Sequence, residues 1–540
     1  MHISMSSLSP ILSDTRMEII LSSSPWLVLL PPVFLSVLLF SYLYTALWLR
    51  PERLRQKLRS QGVRGPKPSF LFGNIPEMRR IQKLPTSDRE QELGRCTDRF
   101  SSNFVATLFP YLLHWSRVYG SIYFYATGSI QVLNVTDSDM VKALANCKAL
   151  DLGKPSFLQK ERGALLGMGI LTANGKLWVH QRKVIAPEFF MDKVKGMVDL
   201  MMDAAVSMLN SWEDKIVSRG GRAEIVVDDF LRNFSADIIS RTSFGSSFTE
   251  GKEIFYNIRK LQKAMAKQTM LIGVPGNRYL PTKSNREIWN LESCIRTLIL
   301  NVVKKHERDS ETSPNKFLLH SIIEGSKAAS FSSCTPEDFI VDNCKNIYFA
   351  GHETTSSTAA WCLMLLASHP EWQSRARVEV LEVCHGEPLD FDMLRKLKTL
   401  TMVIQETLRL YPPASFVTRE ALSDINLGGI DIPKGTNIRV PIALAHRDPS
   451  AWGTDCDRFN PGRFAGGIAR ACKPHHMYMP FGVGPRTCAG QNLAMVELKV
   501  VLSLVLSRFE FELSPNYVHC PAFRLTVEPG DGVPLIFRKL

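Results

Sequence analysis

The residues best suited to chemistry lie in one short stretch, Phe481-Gly-Val-Gly-Pro-Arg-Thr-Cys-Ala-Gly490. Two glycines and a proline ahead of Cys488 suit a tight loop whose backbone lies close against a flat ligand. The run from Gln491 to Arg508 is rich in Ala, Leu, Val and Met and reads as a helix, which puts Cys488 near its N-terminus. There the helix dipole and free backbone N–H groups stabilise a thiolate, the form of cysteine that ligates metals. A lone cysteine before a helix is more often a buried apolar residue. The weight therefore rests on the whole pattern, F-x-x-G-x-R-x-C-x-G.

Three further constellations carry polar chemistry. Ala350-Gly-His-Glu-Thr-Thr355 falls inside an apolar helical stretch, where a glycine costs about 1 kcal/mol relative to alanine and needs a reason. Its Glu353 and Thr354 set an acid beside an alcohol. Trp178 and Arg182, four apart, present an indole and a guanidinium on one helix face. Glu406-Thr-Leu-Arg409 puts a carboxylate and a guanidinium three apart, a spacing common to surface ion pairs, and runs on into Leu410-Tyr-Pro-Pro413.

The elements that must hold these residues are mainly helical. Apolar residues recur at i, i+3 and i+4 through Val194–Leu209 and Ile340–Leu366, within a helical region from about 176 to 410. Ile122 to Val135 predicts a hairpin around a Thr-Gly turn, Ile425 to Val440 reads as strands, and short strands flank Pro529-Gly-Asp-Gly532. Residues 82–104 are polar and read as a loop. No linker splits the body, so one domain over 75–540 is expected, mainly α with a minor β part.

Ahead of it, Ile19 to Leu49 contains no charged residue, long enough for a transmembrane helix, which Pro31-Pro32 would kink or shorten. Arg50, Arg53, Arg55, Lys57 and Arg59 follow at once, which by the positive-inside rule keeps that flank cytosolic. Gly65-Pro-Lys-Pro68 reads as a hinge. The expected organisation is an extension (1–18), an anchor (19–49), a basic flank and hinge (50–74) and the cytosolic body, with Met1 or Met17 as the start.

The formal net charge is +13, but the basic residues form no long tract. A membrane surface or an acidic protein explains them as well as nucleic acid does, and no nucleic-acid partner is expected. The 11 cysteines include no C-x-x-C pair. They argue against a zinc site or a disulfide framework and for reduced, mostly buried thiols.

The cysteine segment, together with the other motifs in this order, resembles the cytochrome P450 superfamily. The resemblance runs from Trp178 to Gly490 and, with anchor and hinge, covers nearly the whole chain. It implies the cytochrome P450 fold with an N-terminal transmembrane helix, and haem b held by Cys488 as axial ligand to iron, whose thiolate favours O–O cleavage. By the same resemblance Arg486, Trp178, Arg182 and, more weakly, Arg419 contact haem propionates. Phe481 shields the sulfur, while Gly484 and Gly490 let the backbone approach the porphyrin and donate hydrogen bonds that tune the thiolate. Glu353 and Thr354 match the acid–alcohol pair that relays protons in the dioxygen groove. Glu406, Arg409 and Arg463 form a structural network. Gly462 replaces the family's glutamate in Pro461-Gly-Arg-Phe464, which predicts a looser turn.

The implied activity is a membrane-bound monooxygenase of the endoplasmic reticulum, taking electrons from NADPH through NADPH-cytochrome P450 reductase. Asp342-Asn-Cys-Lys-Asn-Ile-Tyr-Phe-Ala-Gly-His, Val194-Lys-Gly-Met-Val-Asp-Leu-Met and Thr401-Met-Val-Ile-Gln-Glu-Thr-Leu-Arg-Leu-Tyr resemble a plant branch that modifies gibberellins and ent-kaurenoic acids. This implies a hydrophobic diterpenoid acid substrate, with hydroxylation or 16,17-epoxidation. The pocket is expected around 155–170, 230–280, 346–355, 414–418 and 528–533. Alternatives are another plant hormone or terpenoid substrate (brassinosteroid, cytokinin), a haem-thiolate isomerase or dehydratase, and a non-catalytic haem-binding membrane protein.

Overall fold

The computed structural model describes residues 25–84, 104–148, 150–245, 248–309, 317–327 and 334–540. The expected extension, the first residues of the anchor and most of the 82–104 loop lie outside them. The chain divides into two units at the boundary between Gln56 and Lys57. In the first, helix α1 (Pro25–Tyr44) continues unbroken past Pro31-Pro32 into a π-helical turn, Thr45–Leu49. The helix from Pro31 to Arg59 is long and apolar enough to cross a membrane. Phe34, Leu35 and Phe40 on it are fully displayed to the surroundings.

The second unit is built on a five-stranded sheet. Strands β1 (Ile122–Thr127) and β2 (Ile130–Val135) form the expected hairpin, turning at Gly128 with φ +55°. Beside β3 (Leu152–Gly153), β5 (Phe416–Ala421) and β8 (Asn437–Pro441) complete the order β1-β2-β8-β5-β3. β6 (Ile425–Leu427) and β7 (Ile430–Ile432) make a small hairpin. A three-stranded sheet joins β4 (Arg222–Val226), β12 (Pro534–Lys539) and β9 (Phe509–Leu513), and β10 (Pro521–Phe523) pairs with β11 (Val527–Pro529).

Helices make up most of the rest. The longest are α2 (Gly175–Ile185), α3 (Val198–Ser218), α4 (Asp228–Ile239), α5 (Phe248–Lys267), α6 (Lys283–Asp309), α7 (Pro336–Ser368), α8 (Pro370–Cys384), α9 (Lys398–Leu410) and α10 (Gln491–Arg508). The 33 residues of α7 span about 50 Å at 1.5 Å per residue, and nearly all of them are buried. Thr335 caps its N-terminus by accepting from the Asp338 N–H. Helices α4, α5, α6, α8, α9 and α10 and strands β9 and β11 pack against it.

Two expectations change in detail. The amphipathic run Val194–Leu209 is not one helix: a short helix ends at Lys195 and α3 begins at Val198, with Gly196 in the break. Gly65-Pro-Lys-Pro68 is not a free hinge. The Phe124 N–H donates to the Arg64 carbonyl (3.0 Å), and the Asn74 side chain bridges the Ala126 N–H (2.9 Å) and the Lys67 carbonyl (3.2 Å). This segment is tied to β1, and a Cβ at Gly65 would run into the Phe124 carbonyl. The segment falls within the second unit, Lys57–Leu540.

Candidate active site

Between α7, α2, β5 and the start of α10 lies a cavity of about 310 Å³. Cys488 opens onto it, held by its N–H donating to the Phe481 carbonyl (2.9 Å) three residues before α10 begins as Gln491. Its thiol is exposed to the cavity while protein surrounds it on the other sides. Burial raises its pKa, and the Gly490 N–H and the Arg182 guanidinium work against that rise by favouring the thiolate. Phe481 and Gly490 also line the cavity. Gly484 does not: a Cβ there would sit 2.5 Å from the Ala145 carbonyl, and its φ is +71°. Its glycine answers to a close backbone neighbour. Gly482, at φ +79°, is the loop glycine that reaches the wall.

One rim of the cavity is cationic. Arg182 from α2, Arg419 from β5, Arg486 from the cysteine loop and Lys154 after β3 all line it. Arg182 donates to the Thr487 carbonyl (2.8 Å), and Arg419 to the Val483 carbonyl (3.0 Å). Arg486 stacks 4.2 Å from the centre of the Trp178 ring and donates to Asn174 Oδ1 (2.8 Å). The same Asn174 accepts from the Lys154 N–H (2.6 Å) and donates to the Lys154 carbonyl (2.8 Å). Among the described residues no carboxylate pairs with any of the four cations, and Arg486 Nε is buried without a hydrogen-bond partner. Burial penalises all four charges, and neighbouring cations add to it at Arg486 and Lys154. Arg486 is pushed down to about 9 by burial and then Arg419, Arg419 to about 10 by burial, and Lys154 to about 7 by burial, Arg419 and Arg486. The rim is built for a group with more than one negative charge.

Helix α7 also lines the cavity, presenting Asn346, Ala350, Gly351 and Thr354. Gly351 is glycine because α4 crosses there: a Cβ would overlap the Ile239 side chain. The Thr354 hydroxyl donates back to the Ala350 carbonyl (2.7 Å). Its expected partner Glu353 is not on the cavity wall. That carboxylate is fully buried and pairs with Arg259 of α5 (3.0 Å), which also grips Glu528 of β11 (2.6 and 2.8 Å). Of the expected pocket segments, 346–355 and 414–418 contribute to the lining, 155–170 contributes only Ile170, 230–280 only Ile239, and 528–533 nothing. Glu528 instead meets α7 from behind, through Arg259.

Away from the cavity, Arg409 binds Glu406 with two hydrogen bonds (2.7 and 2.8 Å), and Arg463 Nε reaches the same carboxylate (3.1 Å). Asp455 pairs with Arg463 (2.9 Å), while Gly462 lies in a short 3-10 turn. Arg409 also donates to the carbonyls of His446 (2.9 Å) and Cys456. These groups lock the turn after α9 to the loop ahead of the cysteine segment.

The family model for cytochrome P450 matches residues 106–529. The chain belongs to the cytochrome P450 family. Cytochrome P450 714C2 of Oryza sativa subsp. japonica is 80% identical over 519 residues, 96% of this chain and 99% of that protein. Cytochrome P450 714C3 of the same plant is 54% identical over 518 residues (95% and 99%), and cytochrome P450 714A2 of Arabidopsis thaliana is 44% identical over 493 residues (89% and 92%). The chain is a plant cytochrome P450 monooxygenase, and members of the family bind haem b, work with a reductase and take a small-molecule substrate. The site fits that cofactor: a cysteine opens onto the cavity, the walls are apolar, and the unpaired cationic rim suits two propionates. Sequence reasoning missed Lys154 and Asn174. No local signal marks either residue, because Lys154 reaches the rim only through the pairing of β3 with the strand carrying Arg419.

Proposed function

We propose that the protein is a monooxygenase of diterpenoid acids of the gibberellin or ent-kaurenoic type, acting by hydroxylation or 16,17-epoxidation, with Cys488 as the axial haem ligand. One observation carries the ligand assignment: Cys488 faces the same cavity as Thr354, just ahead of α10 and within the influence of Arg182. Arg182, Arg419, Arg486 and Lys154 hold the propionates, with Trp178 backing Arg486. Haem, when bound, supplies the activation of dioxygen. Glu406, Arg409 and Arg463 keep the loop ahead of Cys488 in place.

The chain's own residues then manage protons and shape. The Thr354 hydroxyl stands on the wall where the groove lies, and Glu353 recharges it by turning away from Arg259. The enclosed wall, with Ile170, Leu171, Ile347 and Val417, suits a rigid apolar skeleton, in keeping with the plant branch that the α7 and α9 segments resemble. The apolar N-terminal helix anchors the protein in the endoplasmic reticulum membrane with the body in the cytosol. Electrons come from NADPH through NADPH-cytochrome P450 reductase, and the net charge of +13 suits an acidic partner.

The test uses yeast microsomes containing the full-length protein and a plant reductase, supplied with NADPH and a panel of diterpenoid acids, a brassinosteroid and a cytokinin. Mass spectrometry should find a product heavier by one oxygen from at least one diterpenoid acid. Turnover of the brassinosteroid or cytokinin alone would replace the substrate assignment.

A further inference from the structure

The motif Asp342-Asn-Cys-Lys-Asn346 has no role in the chemistry above, yet it places four polar side chains on a buried stretch of helix. All four are buried, at 8, 0, 3 and 0% exposure for Asp342, Asn343, Lys345 and Asn346. Burying such groups is costly unless each finds a partner. They find the backbone of one loop. The Met168 N–H donates to Asp342 Oδ2 (2.7 Å), the Ile170 N–H to Asn343 Oδ1 (3.0 Å) and the Leu171 N–H to Asn346 Oδ1 (2.9 Å). In return Asn346 Nδ2 donates to the Leu166 carbonyl (2.8 Å) and Lys345 to the Ala164 carbonyl (3.2 Å). Lys345 also pairs with Asp342 (2.8 Å), so neither charge is left alone.

The loop is shaped to accept this grip. Gly167 has φ +50°, and a Cβ there would overlap the Asp342 carboxylate. A Cβ at Gly169 would sit 2.6 Å from the Asp342 carbonyl and 2.7 Å from Asn346 Oδ1. From the far side, Gln181 of α2 donates to the Met168 carbonyl (2.8 Å). Ile170 and Leu171, whose N–H groups are captured, are the two residues of this loop that line the cavity. Asn346 stands one helical turn before Ala350 and two before Thr354 on the same wall.

We infer that Asp342, Asn343 and Asn346 are positioning residues that latch the loop Leu166–Leu171 over the cavity and so set how a ligand lies against the Thr354 wall. The latch acts through Ile170 and Leu171 and touches no ligand itself, Asn346 excepted. This inference rests on the cavity and the family's haem, and does not depend on the substrate being a diterpenoid acid.

The test compares two nitrogen ligands of haem, imidazole and the bulkier 4-phenylimidazole, titrated into the full-length haem protein and read by optical difference spectra. Imidazole needs little of the roof, whereas the phenyl ring must lie under it. Asn343→Ala should weaken 4-phenylimidazole about tenfold relative to imidazole, the equivalent of one buried hydrogen bond. Gly169→Ala, which pushes the loop off α7 from the other side, should show the same selective weakening. Equal changes for both ligands, or none, in Asn343→Ala and Gly169→Ala would overturn the latch. So would loss of haem loading in both variants, because a device confined to the roof leaves the thiolate side intact.

Discussion

Removing the Lys154 charge should change how haem retention depends on pH. Burial together with Arg419 and Arg486 lowers the Lys154 pKa to about 7, from an ordinary value of 10.5. Two propionates beside it favour the ammonium and raise the pKa again. Above pH 7 haem binding therefore takes up a proton at Lys154, and this contribution weakens affinity as pH rises, by up to about tenfold per pH unit until the bound-state pKa is reached. Arg419 and Arg486, lowered only to about 10 and 9, stay charged through most of this range. Cys488 works in the opposite sense, because burial raises its pKa and ligation releases its proton. That release is common to wild type and to Lys154→Met, so the difference between their slopes belongs to the lysine. Equilibrium competition for haem with apomyoglobin, followed optically from pH 6.5 to 8.5, measures both slopes. The variant should bind haem more weakly at pH 6.5 and close the gap as pH rises. Parallel slopes would refute the role given to Lys154.

Other perturbations have equally definite outcomes. Arg259→Met leaves the buried Glu353 and Glu528 without their shared cation, and should cost about 3–5 kcal/mol in denaturant unfolding at pH 7. Burial raises the Glu528 pKa, but Arg259 and its neighbours outweigh this and hold it low. Its contribution is thus present above the ordinary carboxylate range and is lost as pH falls through its folded pKa, so the penalty of Arg259→Met should shrink in acid. Glu406→Ala strands Arg409 among buried carbonyls and should also cost about 3–5 kcal/mol, read as lost haem protein on mild heating. Gly351→Ala gains about 1 kcal/mol of helix propensity, but its Cβ overlaps Ile239, an overpacking cost of about 1–3 kcal/mol. Net destabilisation should be relieved in an Ile239→Val background, as seen in the melting temperature.

What could be read from sequence was what is local. The cysteine loop declares itself because its glycines, proline and arginine stand at fixed short spacing ahead of a helix. Glu406 and Arg409 are likewise neighbours on one helix turn. Hidden was whatever depends on contacts between distant segments. Lys154 is an ordinary lysine until β3 pairs with β5 and Asn174 clamps its backbone. Glu353 is adjacent to Thr354 in the chain, yet a helix turns adjacent residues by about 100°, and α5 takes up the acid behind the wall. Gly484 and Gly351 look like adaptations to a ligand, whereas the neighbours that forbid a side chain are Ala145 and Ile239. The Asp342–Asn346 motif was visible as a family resemblance, but its partners lie some 175 residues earlier.

The central claim is that Cys488 supplies the thiolate beneath haem. The carbon-monoxide difference spectrum of the reduced protein tests it most directly, with wild type and Cys488→Ala loaded with haem side by side. The account predicts the red-shifted band characteristic of thiolate ligation in wild type and its loss in the variant. Persistence of that band in Cys488→Ala would contradict the account and move the ligand elsewhere in the chain.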